Sequence, residues 1–415
     1  MSARKDRIAN WLTTIVGVVS LPFVAALGLW EYMEATATPL HPDARAVPSA
    51  AHSTPLPKWA EAVAQARLLV RAGLAEQNLP GVSVAVGVGA DLVWAEGFGW
   101  ADLDKQAKVT PDTRFRIGTA STALTSAAVG LLLERGRLKL DDEIQTLVPE
   151  FPRKEWPVTL RHLMGHQAGV RTDGGDEGPL FSQHCERPVE ALPHFAENPL
   201  LFEPGRKYRY SSYDWILVSA AVEAAAKEPF LEFMRGQIFE PLGMTHTAAD
   251  SGTADSEAAP PEGQAVSYFP RFAGDPKYGP DVMRPLDYSC YAGSSVFVST
   301  PSDLVRFAVA IKSGKLLKPA TIKSLQTSQQ LPSGQETGYG LGWDLERTTL
   351  SARPTGLVGH DGALLGGLAV SFMTLPEYGM VVAVTSNTSY ADTFSIALKV
   401  AQAFANSNPR PQEVP

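Results

Sequence analysis

Two cysteines in 415 residues, Cys185 and Cys290, are all the thiol chemistry this chain has. So few exclude a small disulfide-stapled scaffold, and no Cys/His spacing resembles a metal site. An even count permits one disulfide outside a reducing compartment. Two separate thiols are the alternative, and spacing does not decide between them. Charge is also sparse: 19% of residues are charged, the net charge is −8, and no lysine/arginine block is long enough to track a phosphate backbone. Neither a nucleic-acid partner nor a cofactor is expected. No internal repeat is evident. A literal Ser-x-x-Lys occurs only at Ser2 to Lys5, ahead of any globular residue, and is read as chance.

What is present is ordinary globular material behind an unusual start. Hydrophobic residues make up 44% of the chain, and the length suits two or three average domains or one large two-part fold. Residues 1–7 form a basic stub with Arg4, Lys5 and Arg7. Ile8 to Trp30 is an uncharged run of 23 residues, roughly 34 Å as a helix, with a tryptophan near each end. The run is expected to be a transmembrane anchor with the rest of the chain on the extracytoplasmic side. A signal peptide cut near Ala35-Thr36-Ala37, releasing a secreted protein, is the alternative. Residues 31–57 are proline- and alanine-rich and are expected to form an extended linker. The globular domain is expected over 58–408, with a tail at 409–415.

Within the domain, Glu61–Gln77 has helical periodicity and stops before Asn78 and Pro80. Val82–Val88 and Asp91–Phe98 flank a Gly-Ala-Asp turn, which predicts a β-hairpin. Helices are expected at Ser121–Glu134, Leu160–Met164, Ile216–Ala226, Ser302–Lys312 and Thr393–Ala405. Two further strands, Leu368–Leu375 and Met380–Thr385, are joined by a Pro-Glu-Tyr-Gly turn. Strands at both ends with helices between them imply an α+β fold: an antiparallel sheet built from both ends of the domain, with an inserted helical subdomain.

Several segments, in order, resemble one family. They are Leu79-Pro-Gly-Val-Ser-Val-Ala-Val86, Thr113-Arg-Phe-Arg-Ile-Gly118, Leu160-Arg-His-Leu-Met-Gly-His166, Phe202-Glu-Pro-Gly205 with Tyr210-Ser-Ser212, and Phe239-Glu-Pro-Leu-Gly-Met-Thr245. Ser299-Thr-Pro-Ser-Asp-Leu304, Tyr339-Gly-Leu-Gly-Trp343 and Gly359-His-Asp-Gly362 follow. Together, over about residues 58 to 406, they resemble the serine β-lactamase and penicillin-binding protein family. Ala397-Leu-Lys-Val-Ala401 is most similar to its LACTB-like branch. The resemblance implies a β-lactamase/transpeptidase-like fold and acyl-enzyme hydrolysis of β-lactams, D-alanyl peptides or small esters.

That chemistry uses Ser-x-x-Lys at the start of a helix, a hydroxyl nucleophile and an ammonium one turn away. Here the two places hold Thr119 and Thr122. Thr119 keeps a hydroxyl, though its methyl stiffens χ1; for an isolated Thr, capping the helix is the plainer role. Thr122 is far too weakly basic to accept a proton. The resemblance places Tyr210 and Ser212 on the second motif, with Ser212 where the family has Asn. It places His360, Asp361 and Gly362 on the third, with the N–H of Ala363 as an oxyanion donor. Thr119, Tyr210 and His360 are therefore the candidate catalytic residues. Thr122, Ser212, Asp361, Gly362 and Ala363 are candidate substrate-binding positions. Lys207 and Arg209 should face away from Tyr210 on an extended segment. His162 and His166 are expected to hold a loop, and Trp215 and Trp343 to be core. Two functions follow: a hydrolase with impaired lactamase-type chemistry, or a non-catalytic protein binding a peptide, a small molecule or another protein.

Overall fold

The computed structural model describes residues 24–172, 179–252, 260–272, 274–364 and 366–407. Its principal strands, in chain order, are β1 Ser49–Ala51, β2 Gly81–Val88, β3 Asp91–Asp102, β4 Asp344–Leu350, β5 Arg353–Leu364, β6 Leu368–Leu375 and β7 Met380–Ser386. They form one antiparallel sheet in the order β1-β3-β2-β7-β6-β5-β4. The central pairing is between β2 and β7, which join the two ends of the domain. The five long helices are α1 Ala60–Glu76, α2 Ser121–Glu134, α3 Ser212–Ala226, α4 Pro301–Lys312 and α5 Thr393–Ser407.

The sheet separates two cores. On one face Val82, Val84, Val86, Val382 and Val384 pack against α1 and α5. On the other, Ala85, Val370, Phe372 and Ala383 join the large core of α2, α3 and α4. Burial on both faces explains why β2 and β7 are nearly continuous apolar runs. α2 is apolar almost all round and its first ten residues are all buried, as expected of a helix running through a core. Two of its buried hydroxyls bond to carbonyls across or along the helix: Thr125 to Ser121 and Gly293, and Ser126 to Leu341.

One expectation is corrected. Among the described residues, no helix is long and apolar enough to cross a membrane. The described helical stretch at the N-terminus, residues 24–36, carries Glu31 and Glu34. It is tied to the domain by a hydrogen bond from the Tyr278 hydroxyl to Glu34 and by an edge contact between the rings of Tyr32 and Phe272. Residues 8–23 of the uncharged run lie outside the described residues. Within 31–57, Ser49–Ala51 adds the outermost strand by pairing with β3. The two cysteines form a disulfide, with Cα atoms 4.9 Å apart.

Candidate active site

The site lies where α2 begins beside β5. Phe115–Arg116 pairs with Phe297–Ser299, and the Ile117 N–H donates to the Phe297 carbonyl. Gly118 then takes φ 47°, a left-handed turn suited to glycine, and residues 118–120 form a 3-10 turn that feeds α2. Gly362 of β5 closes onto this turn. A Cβ there would meet the Ile117 carbonyl oxygen at 2.5 Å and the Ala120 nitrogen at 3.1 Å. Only a glycine lets the strand approach so closely.

Thr119 is nearly buried, and its hydroxyl donates to the carbonyl of Asp361 at 3.2 Å. It therefore does not cap the helix. Thr122 is fully buried and its hydroxyl donates to the Thr119 carbonyl at 2.5 Å. Both motif hydroxyls thus spend their protons on backbone oxygens, which are acceptors with negligible basicity.

His360 is buried on the same face as Gly362. Its Nδ1 lies 2.6 Å from the Asp361 carbonyl oxygen, and its Nε2 lies 3.0 Å from the Tyr339 hydroxyl. A carbonyl only accepts, so Nδ1 carries the proton. Nε2 and the Tyr339 hydroxyl form the second hydrogen bond of the imidazole. The carboxylate of Asp344 stands 3.7 Å from Nδ1.

The side chain of Asp361 faces the opposite way. Asp361 pairs with Ser371, whose hydroxyl meets Thr393 at the start of α5. Its carboxyl is pushed up to about 6, first by loss of water, against a hydrogen bond from Ser371. What Asp361 contributes to the cleft is its backbone. The C=O accepts from Thr119 and the N–H donates to Asp344 at 3.3 Å, both off the free edge of β5 beyond its pairing with β4. Strand alternation puts the Ala363 N–H on that same open edge.

Tyr210 is 38% exposed, just before Ser212 opens α3. Its ring lies 4.2 Å from the ring of His166, between centroids. His166 itself adopts φ 54° and pins the chain on both sides of Tyr210. Its carbonyl accepts from the Arg209 N–H at 2.8 Å and its Nδ1 from the Ser211 N–H at 3.2 Å. The same nitrogen is 3.1 Å from a carboxyl oxygen of Asp214. Burial pushes His166 down to about 3, with His360 adding to the effect, and pushes Asp214 well above the carboxylate range. The pair is neutral.

His166 was legible only as a loop residue, and Tyr339 only as a landmark. Asp214, two residues past Ser212, carried no signal of its own. His162 completes a capping box with Thr159, and Trp215 and Trp343 are core. Among the described residues no group of three or more His, Cys, Asp or Glu could hold a metal ion.

A hydroxyl at the head of a buried helix, an open strand edge beside it, and a tyrosine from the segment leading into α3 define a β-lactamase-type cleft. The comparisons agree. Residues 66–406 match the Beta-lactamase family, and the chain belongs to it, a family of β-lactamase-fold serine hydrolases. Bovine serine beta-lactamase-like protein LACTB, mitochondrial, is 26% identical over 456 residues, covering 83% of this chain and 80% of the relative. Penicillin-binding protein 4* of Bacillus subtilis is 25% identical over 300 residues, covering 71% of this chain and 65% of the relative. The octameric penicillin-binding protein homologue from Pyrococcus abyssi superposes with a TM-score of 0.69 at 24% identity, over 84% of this chain and 78% of that one. A D-amino acid amidase from Ochrobactrum anthropi gives 0.67 at 22% identity, over 83% and 99%. At these identities the two structures speak for the fold alone.

Proposed function

We propose that the cleft binds small esters, amides or D-alanyl-type peptides, and that lysine-dependent acyl transfer is impaired in it. The observation that carries this reading is the Thr122 hydroxyl, which stands where the family has an ammonium and is bonded to the Thr119 carbonyl. The two other groups are engaged elsewhere: the Thr119 hydroxyl donates to the Asp361 carbonyl, and His360 Nε2 lies 3.0 Å from the Tyr339 hydroxyl. General acid–base help is worth ~10²–10⁴ in rate, so its loss leaves a binding site with little turnover. The Cys185–Cys290 disulfide supports an oxidising compartment, outside the cytoplasm.

The test is to incubate the protein with a fluorescent penicillin, a chromogenic cephalosporin and p-nitrophenyl acetate, and to measure penicillin binding by calorimetry. Binding without covalent labelling or turnover is expected. Stoichiometric labelling, abolished in Thr119→Ala, would overturn the reading in favour of an active acyl-enzyme.

A further inference from the structure

We propose that Tyr339 is a positioning residue of this cleft: it ties the segment that carries Tyr210 to the strand that carries His360, and so sets the spacing between two walls that a ligand meets. The inference rests on the reading of the cleft as a ligand site and adds the residue that holds its shape.

Tyr339 opens Tyr339-Gly-Leu-Gly-Trp343, in the connection that leads into β4. Its backbone is fixed from several sides. The C=O accepts from the Gln329 N–H at 2.8 Å and from the Thr337 hydroxyl at 3.0 Å, and the N–H donates to that same hydroxyl at 3.2 Å. Gly342 takes φ 93°, a turn suited to glycine. A Cβ there would meet the Trp215 ring at 2.6 Å, so the loop is seated on the core side of α3. The Tyr339 side chain is buried.

From this seat the ring reaches both walls. Its centroid lies 4.9 Å from the ring of His166 and 6.0 Å from that of Tyr208. His166 in turn lies 4.2 Å from the Tyr210 ring and accepts from the Ser211 N–H. On the other side the Tyr339 ring stands nearly perpendicular to His360, with centroids 5.8 Å apart, and its hydroxyl lies 3.0 Å from Nε2. His360 Nδ1 and the Thr119 hydroxyl then share the Asp361 carbonyl. One side chain thus stands between the second-motif segment and the third-motif strand.

A tyrosine that only fills a core needs any hydrogen-bond partner for its hydroxyl, and a backbone carbonyl would serve. Here the hydroxyl meets a third-motif side chain, two residues before the Gly362 that closes onto the Thr119 turn. Burial pushes the Tyr339 phenol well above the usual tyrosine range, so the hydroxyl keeps its proton at neutral pH.

The experiment compares the full chain with Tyr339→Phe, which keeps the ring and removes the hydroxyl. Penicillin G affinity, read by calorimetry, should fall about five-fold, the size of one hydrogen bond. With His360→Gln already in place, adding Tyr339→Phe should change affinity by less than about two-fold, because the hydroxyl acts through His360. The imidazole nitrogen NMR signals of His360 should shift in Tyr339→Phe, while the circular dichroism spectrum stays that of the parent. Tyr339→Leu, which removes the ring as well, should speed amide hydrogen exchange at Ser211, where Tyr339→Phe does not. Unchanged affinity in Tyr339→Phe, or an equal loss with and without His360, overturns the proposal. If the parent binds no penicillin, the cleft reading fails by itself. The His360 signals and Ser211 exchange then decide the positioning role, and no change in either overturns it.

Discussion

The Thr119 hydroxyl and the His360 imidazole converge on one acceptor, the carbonyl oxygen of Asp361, at 3.2 and 2.6 Å. Two groups that could have formed a nucleophile and its base instead share the two lone pairs of a backbone carbonyl. The arrangement holds the head of α2 against β5 and leaves neither group in a reactive pairing.

Restoring the missing ammonium should restore chemistry. Thr119→Ser with Thr122→Lys is expected to label with fluorescent penicillin, by ~10² or more over the parent, while Thr119→Ser alone stays near the parent level. Gel fluorescence after incubation reads this directly. A folded double variant that remains unlabelled would mean that the site is disabled beyond these two positions.

Gly362→Ala should be poorly tolerated. The added methyl meets the Ile117 carbonyl at 2.5 Å, and backbone cannot rotate away as a side chain can. A loss of about 1–3 kcal/mol is expected from overpacking, measured by urea denaturation. Penicillin binding should weaken as the strand edge moves from Thr119. A variant as stable as the parent would show that β5 and the Thr119 turn are less tightly joined than the distances state.

The neutral His166–Asp214 pair has a pH signature. Asp214 is raised in the folded state, so its contribution is complete below the unfolded value near 3.8 and is lost as pH rises toward its folded value. His166 is lowered, so its contribution is complete above 6.5 and is lost as pH falls toward about 3. Between these two unfolded values the two slopes oppose each other. Asp214→Asn removes only the first. The stability of the variant relative to the parent should therefore grow as pH rises from about 4 to 8, by up to about 1.4 kcal/mol per unit. Denaturation curves across that range provide the test, and a constant difference would mean that Asp214 is ionised in the fold.

The disulfide closes a loop of 105 residues between the segment after the short helix at Leu160–Met164 and the segment before Phe297. Cys185→Ser with Cys290→Ser should cost about 2–4 kcal/mol. Thermal unfolding with and without reductant should show the parent under reduction falling to the level of the double variant.

Much of the scaffold was legible from local pattern. Ser121–Glu134 and Leu368–Leu375 coincide with the observed elements because long apolar runs ended by Gly or Pro leave little choice. The hairpin of β4 and β5 was harder to see. β4, Asp-Leu-Glu-Arg-Thr-Thr-Leu, is a largely solvent-facing edge strand, so no buried face imposes an alternation on it. Ser49–Ala51 escaped notice because its strand character comes from the free edge of β3 and not from its own side chains.

The sequence by itself determined which groups are available: threonine at 119 and 122, no lysine in the first motif, and the ordered landmarks of a β-lactamase-type fold. It could not determine where those groups send their hydrogen bonds. That the Thr119 proton goes to Asp361, that Tyr339 is hydrogen-bonded to His360, and that His166 and Asp214 stand neutral behind Tyr210 depend on contacts between residues up to 242 positions apart. Hydrogen-bond choice is a matter of distance and burial, and only the folded chain sets either.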